Sequence, residues 1–256
     1  MRSKEEARRL LNSGFMKQMA EAVSHYVAPI FWGHRVSDCT TPEAKVNNGS
    51  IFFIECGGPP LAITADHVYA GYLERKGSEP NLICQIWDLP FNPEARLIAR
   101  DLNLDIATFR ITEAEVDTIN KQIHRASQWP PSPPELSKGV FLIGYPGHEK
   151  RRSEDSIGWG IYPLLLTATS VHDDKIVCQL NREEWVNIFD GSEFSDFPPK
   201  QSLAGLSGAP LWTLVENPIL SWRLAGIVSE FNENFELLDV RRPNRINPDG
   251  TFLPGS

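Results

Sequence analysis

The chain has 256 residues, of which 41% are hydrophobic, and it carries a formal net charge of −8 with a pI near 5.3. This length accommodates one large domain or two small ones, with enough apolar residues for a sizeable core. The acidic balance argues against the basic face of a nucleic-acid-binding protein, so we expect no nucleic-acid partner. No stretch reaches the apolar length of a membrane span, so we expect no membrane partner.

The cysteines and the N-terminus predict the compartment. None of the four cysteines forms a Cys-x-x-Cys pair, so we expect neither a metal site nor a cofactor. The N-terminus runs into a charged helical pattern rather than an apolar signal core. We therefore predict a cytoplasmic protein whose thiols are free and reduced. The cysteines are Cys39, Cys56, Cys84 and Cys178.

Residues 1–27 form the first predicted unit, a helical segment. Ser3 and Glu6 have the spacing of a capping box, and apolar residues recur at helical spacing as far as Tyr26. The turn-forming residues 12–14 divide the segment into two helices. We expect it to pack on the outside of the fold; the alternative is a docking segment for a regulatory partner.

From residue 28 onwards the pattern changes to short apolar strands separated by turns, as the 20 prolines and 18 glycines also indicate. Residues 112–128 have helical character and then break. Residues 129–138 contain a proline-rich stretch typical of a stiff linker. A long polar and aromatic loop is predicted over 181–201. The predicted strands cover 28–32, 49–54, 61–64, 82–87, 95–99, 106–111, 139–144, 164–168, 175–180, 209–215 and 222–229.

Three short motifs carry the candidate chemistry. The last in the chain is Gly-x-Ser-Gly-x-Pro at 205–210, where small neighbours leave the hydroxyl of Ser207 accessible. A serine is a weak nucleophile that needs a base and a group that orients the base. Thr-Ala-Asp-His at 64–67 and Asp-Ile-Ala at 105–107 supply candidates for both, in the order His67, Asp105, Ser207.

Together these motifs resemble the chymotrypsin/trypsin-like serine peptidases, and more closely their minimal bacterial type than the digestive enzymes. The resemblance implies an all-β fold of two antiparallel β-barrels, with the N-terminal helical segment added. The first barrel, 28–128, would carry His67 and Asp105, and the second barrel, 139–256, would carry Ser207. Asp66 and Asp101 are the competing candidates for the role of Asp105, but neither precedes a comparable apolar run.

The resemblance also assigns roles. Ser207 would be the nucleophile, His67 the general base and then the general acid, and Asp105 the residue that orients the imidazole. The backbone N–H groups of Gly205 and Ser207 would form the oxyanion hole. Leu206 stands where secreted relatives carry an aspartate that pairs with a new N-terminus, so we expect no activation by that route.

Substrate recognition is predicted at four positions. By alignment with Ser207, Gln201 would lie near the base of the first substrate pocket, and Ser229, Glu230 and Phe231 would line its wall and pair with the substrate backbone. Gln201 is neutral, and the ring of Phe231 would shorten the pocket, so small or medium side chains are expected. The predicted activity is serine endopeptidase cleavage of an intracellular protein or peptide. The alternatives are an inactive peptidase fold that binds a protein partner, and a serine esterase.

Overall fold

The fold is described by a computed structural model that covers residues 14–34, 46–152, 156–180, 202–216 and 220–254. The first part of the predicted helical segment, residues 1–13, lies outside these residues, as do the loop at 181–201 with Gln201, and Cys39. Most elements are short antiparallel strands in two sheets, and short helices flank them. The predicted all-β fold with an N-terminal helix is confirmed.

The first sheet has eight strands, and its pairing runs as an open path in the order β5-β4-β1-β2-β3-β7-β6, with β8 parallel to β2. β2 is buried along most of its length because both of its faces are covered. His67 lies at the start of a helix that follows one strand of this sheet, and Asp105 lies in the turn between two of its strands. Its strands are β1 (Val27–Gly33), β2 (Asn47–Glu55), β3 (Leu61–Thr64), β4 (Ile83–Ile86), β5 (Leu89–Pro90), β6 (Leu97–Asp101), β7 (Ile106–Arg110) and β8 (His124–Arg125).

The second half closes into a six-stranded barrel in the order β12-β13-β16-β15-β14-β9. Alternation along β12 places every second residue in the barrel interior, as the period of a strand requires. β10 and β11 form a separate hairpin after a short 3₁₀ turn at Gly147–Glu149. The strands are β9 (Gly139–Gly144), β10 (Lys150–Arg152), β11 (Ile157–Trp159), β12 (Tyr162–Val171), β13 (Lys175–Gln179), β14 (Pro210–Glu216), β15 (Leu220–Asn232) and β16 (Leu237–Arg241).

Within the described ranges, four helices accompany the sheets: α1 (Phe15–Ser24), α2 (Asp66–Ser78), α3 (Pro93–Arg96) and α4 (Glu113–Thr118). The described part of the segment before β1 is helical as predicted, and Met19, Ala20 and Val23 of α1 are buried. Thr112 and Glu115 cap α4 reciprocally, which explains its start within the predicted region 112–128. Helix α2 was not predicted.

The core extends across both sheets. Phe52 of the first sheet and Trp212 of the barrel are fully buried in one cluster, and each half has a further cluster of its own.

The C-terminal residues then return to the first sheet, where Thr108 Oγ1 donates to the Gly250 carbonyl at 2.6 Å. Residues 126–138, which include the proline-rich stretch, contain neither helix nor strand. Burial at the junction holds the two halves in a fixed relation.

Ser50 of β2 is the most connected residue at this junction. Its hydroxyl donates to the Gly205 carbonyl at 2.8 Å and accepts from the Tyr145 N–H at 3.0 Å. Its own N–H donates to the Ser207 carbonyl at 2.9 Å. One fully buried serine therefore fixes the turn at 205–208 against both the first sheet and the end of β9.

We predict that Ser50→Ala lowers the free energy of unfolding by about 1–3 kcal/mol, because a buried carbonyl and a buried N–H lose their partner. Equilibrium denaturation measures the change. Ser78→Ala is the control, since the Ser78 hydroxyl is exposed at the end of α2 and donates only to the Arg75 carbonyl. Equal stability of the two variants would contradict the role given to Ser50.

Candidate active site

His67 is placed by the start of α2. Strand β3 ends at Thr64, and the chain turns directly into the helix, so that both the backbone and the ring of His67 face the loop before β7. The His67 N–H donates to Asp105 Oδ1 at 2.9 Å, and its Nδ1 lies 3.1 Å from Oδ1 and 2.9 Å from Oδ2. The predicted histidine–aspartate pair is formed, and it leaves Nε2 as the ring nitrogen available to a reacting group.

Asp105 adopts a left-handed backbone conformation, with φ of 53°. Aspartate tolerates this region better than most residues because its short polar side chain forms local hydrogen bonds. Its carboxylate also accepts a hydrogen bond from the Ser229 hydroxyl, with 2.6 Å between Oγ and Oδ2. Asp105 thus receives donors from the first sheet and from strand β15 of the barrel.

The competing aspartates are engaged elsewhere. Asp101 accepts from the N–H groups of Asn103 and Leu104 and closes the turn that precedes Asp105. Asp66 forms a bidentate ion pair with Arg100. Neither carboxylate hydrogen-bonds the His67 ring, so the geometry assigns the orienting position to Asp105.

The electrostatics of the pair favour its charged form. The hydrogen bond to Asp105 raises the pKa of His67 above its ordinary value; burial opposes this rise, and the charges of Asp105, Asp66 and Glu230 support it. Burial alone would raise the pKa of Asp105, but the hydrogen bonds from His67 and Ser229 and the charge on His67 lower it below its usual range. Asp105 therefore stays ionised wherever His67 titrates.

The turn at 205–208 depends on two glycines. Gly205 has φ of +100° and Gly208 has φ of +87°, a region that side chains rarely adopt. A Cβ on Gly205 would lie 2.5 Å from Asn48 Nδ2, and one on Gly208 would lie 2.1 Å from the Ser50 carbonyl oxygen. Both positions therefore require glycine for space as well as for backbone conformation.

Ser207 lines the same cleft as His67. The Ser207 hydroxyl donates to the Ser229 carbonyl at 3.2 Å, and no hydrogen bond joins it to His67 in the part of the chain described. Both residues line one cleft of about 550 Å³. The structure thus brings the three predicted residues together, with the nucleophile in a rotamer that faces β15.

The predicted oxyanion donors lie on the same turn. Within the described ranges, neither the Gly205 N–H nor the Ser207 N–H donates a hydrogen bond, while the neighbouring Leu206 and Gly208 N–H groups both do. Two unengaged donors beside a nucleophile suit a developing oxyanion. Leu206 is 1% exposed and packs in the barrel core. A leucine at this position cannot form the ion pair with a new N-terminus that an aspartate there would form.

Three of the predicted wall residues line the cleft: Ser229, Glu230 and Phe231. The hydrogen bond from Ser229 to Asp105 was not predicted. Leu102, with 71% of its surface exposed, also lines the cleft and was not predicted. The sequence could have indicated Leu102 as a cleft residue by its place in the turn just before Asp105, because an exposed leucine beside a cleft contributes apolar contact area.

No metal centre accompanies this site: the described ranges contain no group of three or more His, Cys, Asp or Glu side chains placed to hold an ion. Cys56, Cys84 and Cys178 are buried free thiols, and burial raises the pKa of Cys56 to about 11 and that of Cys178 to about 12. None of the described helices is both long enough and apolar enough to span a membrane.

The closed barrel, the companion sheet and the site between them give the chain a chymotrypsin-like fold. No family model matches the sequence, and no curated protein matches it. Among solved structures the chain is similar to the Rv3671c protease from M. tuberculosis, active form, at 15% identity and a TM-score of 0.45, over 95% of this chain and 89% of that chain.

A second solved structure similar to this chain is the serine protease domain of the Sesbania mosaic virus polyprotein. The identity is 14% and the TM-score is 0.43, over 84% of this chain and 93% of that chain.

We predict that the imidazole of His67 titrates above 6.5 and that Asp105→Asn lowers its pKa, because the mutation removes both the charge and the largest cause of the rise. An NMR titration of the ring C–H signals measures both values. Asp117→Asn, at an exposed position of α4, is the control for a lost aspartate charge. An unchanged pKa of His67 in Asp105→Asn would contradict the assignment.

Proposed function

We propose that the protein is a serine endopeptidase that hydrolyses peptide bonds through an acyl-enzyme on Ser207. The observation that supports this most directly is the His67–Asp105 pair, with distances of 2.9–3.1 Å, facing a cleft that Ser207 also lines. The pair supplies a base of suitable pKa in a fixed orientation. The glycine turn supplies a nucleophile next to two unengaged N–H donors.

In the proposed reaction, Ser207 Oγ attacks the substrate carbonyl carbon while His67 Nε2 takes the hydroxyl proton. The carbonyl oxygen becomes an oxyanion that the Gly205 and Ser207 N–H groups bind. The C–N bond then breaks as His67 returns the proton to the leaving amine. Water, deprotonated by His67, attacks the acyl carbon, and its proton passes back to Ser207 Oγ as the carboxylic acid product leaves.

The Ser207 hydroxyl must change its position before it can react. Its hydroxyl must leave the Ser229 carbonyl and turn toward Nε2, a rotation about a single side-chain torsion. Catalytic hydrogen bonds are often long in the free enzyme and tighten only with substrate. A peptide strand along Ser229–Phe231 would compete for that carbonyl and so release the hydroxyl.

The same contact favours the second candidate function, a peptidase fold that binds a protein partner without turnover. A Ser207 hydroxyl held by the Ser229 carbonyl is not activated. The intact His67–Asp105 pair supports the peptidase instead, since its geometry has no role in a binding module. A serine esterase would share the site and differ only in the bond that is cleaved.

The proposed substrate is an intracellular protein or peptide, and the proposed compartment is the cytoplasm. Three buried free thiols are consistent with a reducing compartment. The buried Met19, Ala20 and Val23 favour a packing role for α1 itself, which leaves partner docking as a proposal for the residues before it.

We predict that a fluorophosphonate forms a single adduct on the wild-type protein and that Ser207→Ala abolishes it. His67→Ala should slow labelling by about 10²–10⁴-fold, because the general base is lost. Intact-mass analysis measures the adduct. Ser202→Ala is the matched control, since Ser202 lines the same cleft and should be dispensable.

The absence of an adduct on folded wild-type protein would contradict the peptidase and favour the binding module. Where labelling occurs, peptide and ester substrates separate the remaining two activities. Cleavage of peptides is the expected result, and turnover of small esters alone would identify an esterase.

We predict that the wild-type enzyme prefers small or medium side chains before the cut, and that Phe231→Ala shifts the preference toward larger ones by about tenfold or more. The reason is that Phe231 lines the cleft together with the buried Leu238. A peptide-library profile measures the preference. Phe235→Ala is the control, because Phe235 is exposed in the next turn and does not line the cleft. A wild-type profile dominated by Arg or Phe would contradict this prediction.

A further inference from the structure

The residue immediately before His67 is a buried charge with a single strong partner. Asp66 opens α2, and its side chain is only 5% exposed. Both of its carboxylate oxygens accept from Arg100, at 2.7 Å from Nε and 2.7 Å from Nη2. Such a bidentate pair fixes orientation as well as distance, because the guanidinium fork is planar and rigid.

Arg100 is itself held in place by its strand and by an aromatic ring. It lies on β6, where it pairs with Ala107 of β7, and its guanidinium lies over the Tyr69 ring at 5.2 Å from the centroid. Tyr69 belongs to α2, so the cation contacts the helix at two points. The contact between a guanidinium and an aromatic face adds to the orientation of the side chain.

The Asp66–Arg100 ion pair joins the same two elements as the His67–Asp105 pair. Asp66 and His67 are consecutive in α2, whereas Arg100 and Asp105 lie on the same β6–β7 hairpin. The helix start and the hairpin are therefore joined twice, once through Asp66–Arg100 and once through His67–Asp105. One contact would leave the helix free to pivot about it, and a second contact at the adjacent residue removes that freedom.

We propose that Asp66 and Arg100 are positioning residues, which hold the start of α2 so that the His67 ring stays aligned with Asp105 and faces Ser207. This inference rests on the proposed function, because alignment of His67 matters only if it serves as the base. The charges that face His67 are Asp66 from its own helix, Asp105 from the β6–β7 turn and Glu230 from β15. Arg100 balances the first of these.

The test separates geometry from charge with Arg100→Lys, which keeps the positive charge but loses the bidentate fork. We expect the fluorophosphonate rate to fall about 10- to 100-fold, as for a displaced catalytic group. The His67 Nδ1–H proton should also exchange faster with water by NMR. Arg75→Lys is the matched control: Arg75 makes a bidentate pair with Glu79 at the far end of α2, and this variant should keep both wild-type values.

Asp66→Asn provides the second arm. Loss of the negative charge lowers the pKa of His67, so the acid limb of the rate profile moves to lower pH, and loss of the fork lowers the plateau rate as well. A shifted limb with a wild-type plateau would overturn positioning, because charge alone would account for it. A wild-type rate and wild-type Nδ1–H exchange in Arg100→Lys, with only the melting temperature reduced, would overturn it too.

Two further measurements cover the case in which Arg100→Lys does not fold and the case in which wild-type protein is not labelled. If Arg100→Lys does not fold, the double variant Asp66→Asn/Arg100→Gln leaves no unpaired buried charge, and it should fold with fast Nδ1–H exchange; slow exchange there would contradict the proposal. If wild-type protein is never labelled, the proposed function fails. The exchange rate of the His67 Nδ1–H proton, measured in Ser207→Ala protein with and without Arg100→Lys, still decides whether the Asp66–Arg100 pair positions His67.

Discussion

The site depends on one carboxylate that must be satisfied from two sheets at once. Asp105 accepts the ring and backbone N–H groups of His67 from the first sheet and the Ser229 hydroxyl from the barrel. A buried ionised group without partners is strongly destabilising, so these donors stabilise the ionised carboxylate. The same convergence orients the imidazole. The hydrogen bonds that stabilise Asp105 at the junction therefore also fix the orientation of the His67 ring.

The nucleophile turn is constrained from the opposite side. Ser50 donates hydrogen bonds to the Gly205 and Ser207 carbonyls, while the Gly205 and Ser207 N–H groups donate none within the described ranges. Gly205 and Gly208 adopt positive φ without the steric cost that a side chain would add, and Leu206 between them is buried in the barrel. The Ser207 hydroxyl rests on the Ser229 carbonyl. In the proposed mechanism it must leave that carbonyl before His67 can take its proton.

The sequence was sufficient for most of the strands and for the order of His67, Asp105 and Ser207, because period-2 patterns and short motifs are local signals. It did not predict the barrel strand β16 or the short strands β5, β8, β10 and β11. Helix α2 was missed since only Asp66, Val68, Tyr69 and Tyr72 are buried, a pattern too sparse to show helical periodicity. The Ser229–Asp105 bond joins residues 124 positions apart, and the Asp66–Arg100 pair depends on where α2 meets β6. Such contacts follow from tertiary placement, and the Ser207 rotamer follows from it as well.

We propose that the backbone of 205–208 is arranged for an acyl-transfer oxyanion before substrate binds, and that the Ser207 hydroxyl then turns toward His67. A crystal structure of the protein with a peptide boronic acid tests this directly. We expect a bond between boron and Ser207 Oγ, with one boronate oxygen about 2.7–3.1 Å from the Gly205 and Ser207 N–H groups and His67 Nε2 close to the other. A boronate absent from Ser207, with the hydroxyl still on the Ser229 carbonyl, would contradict it.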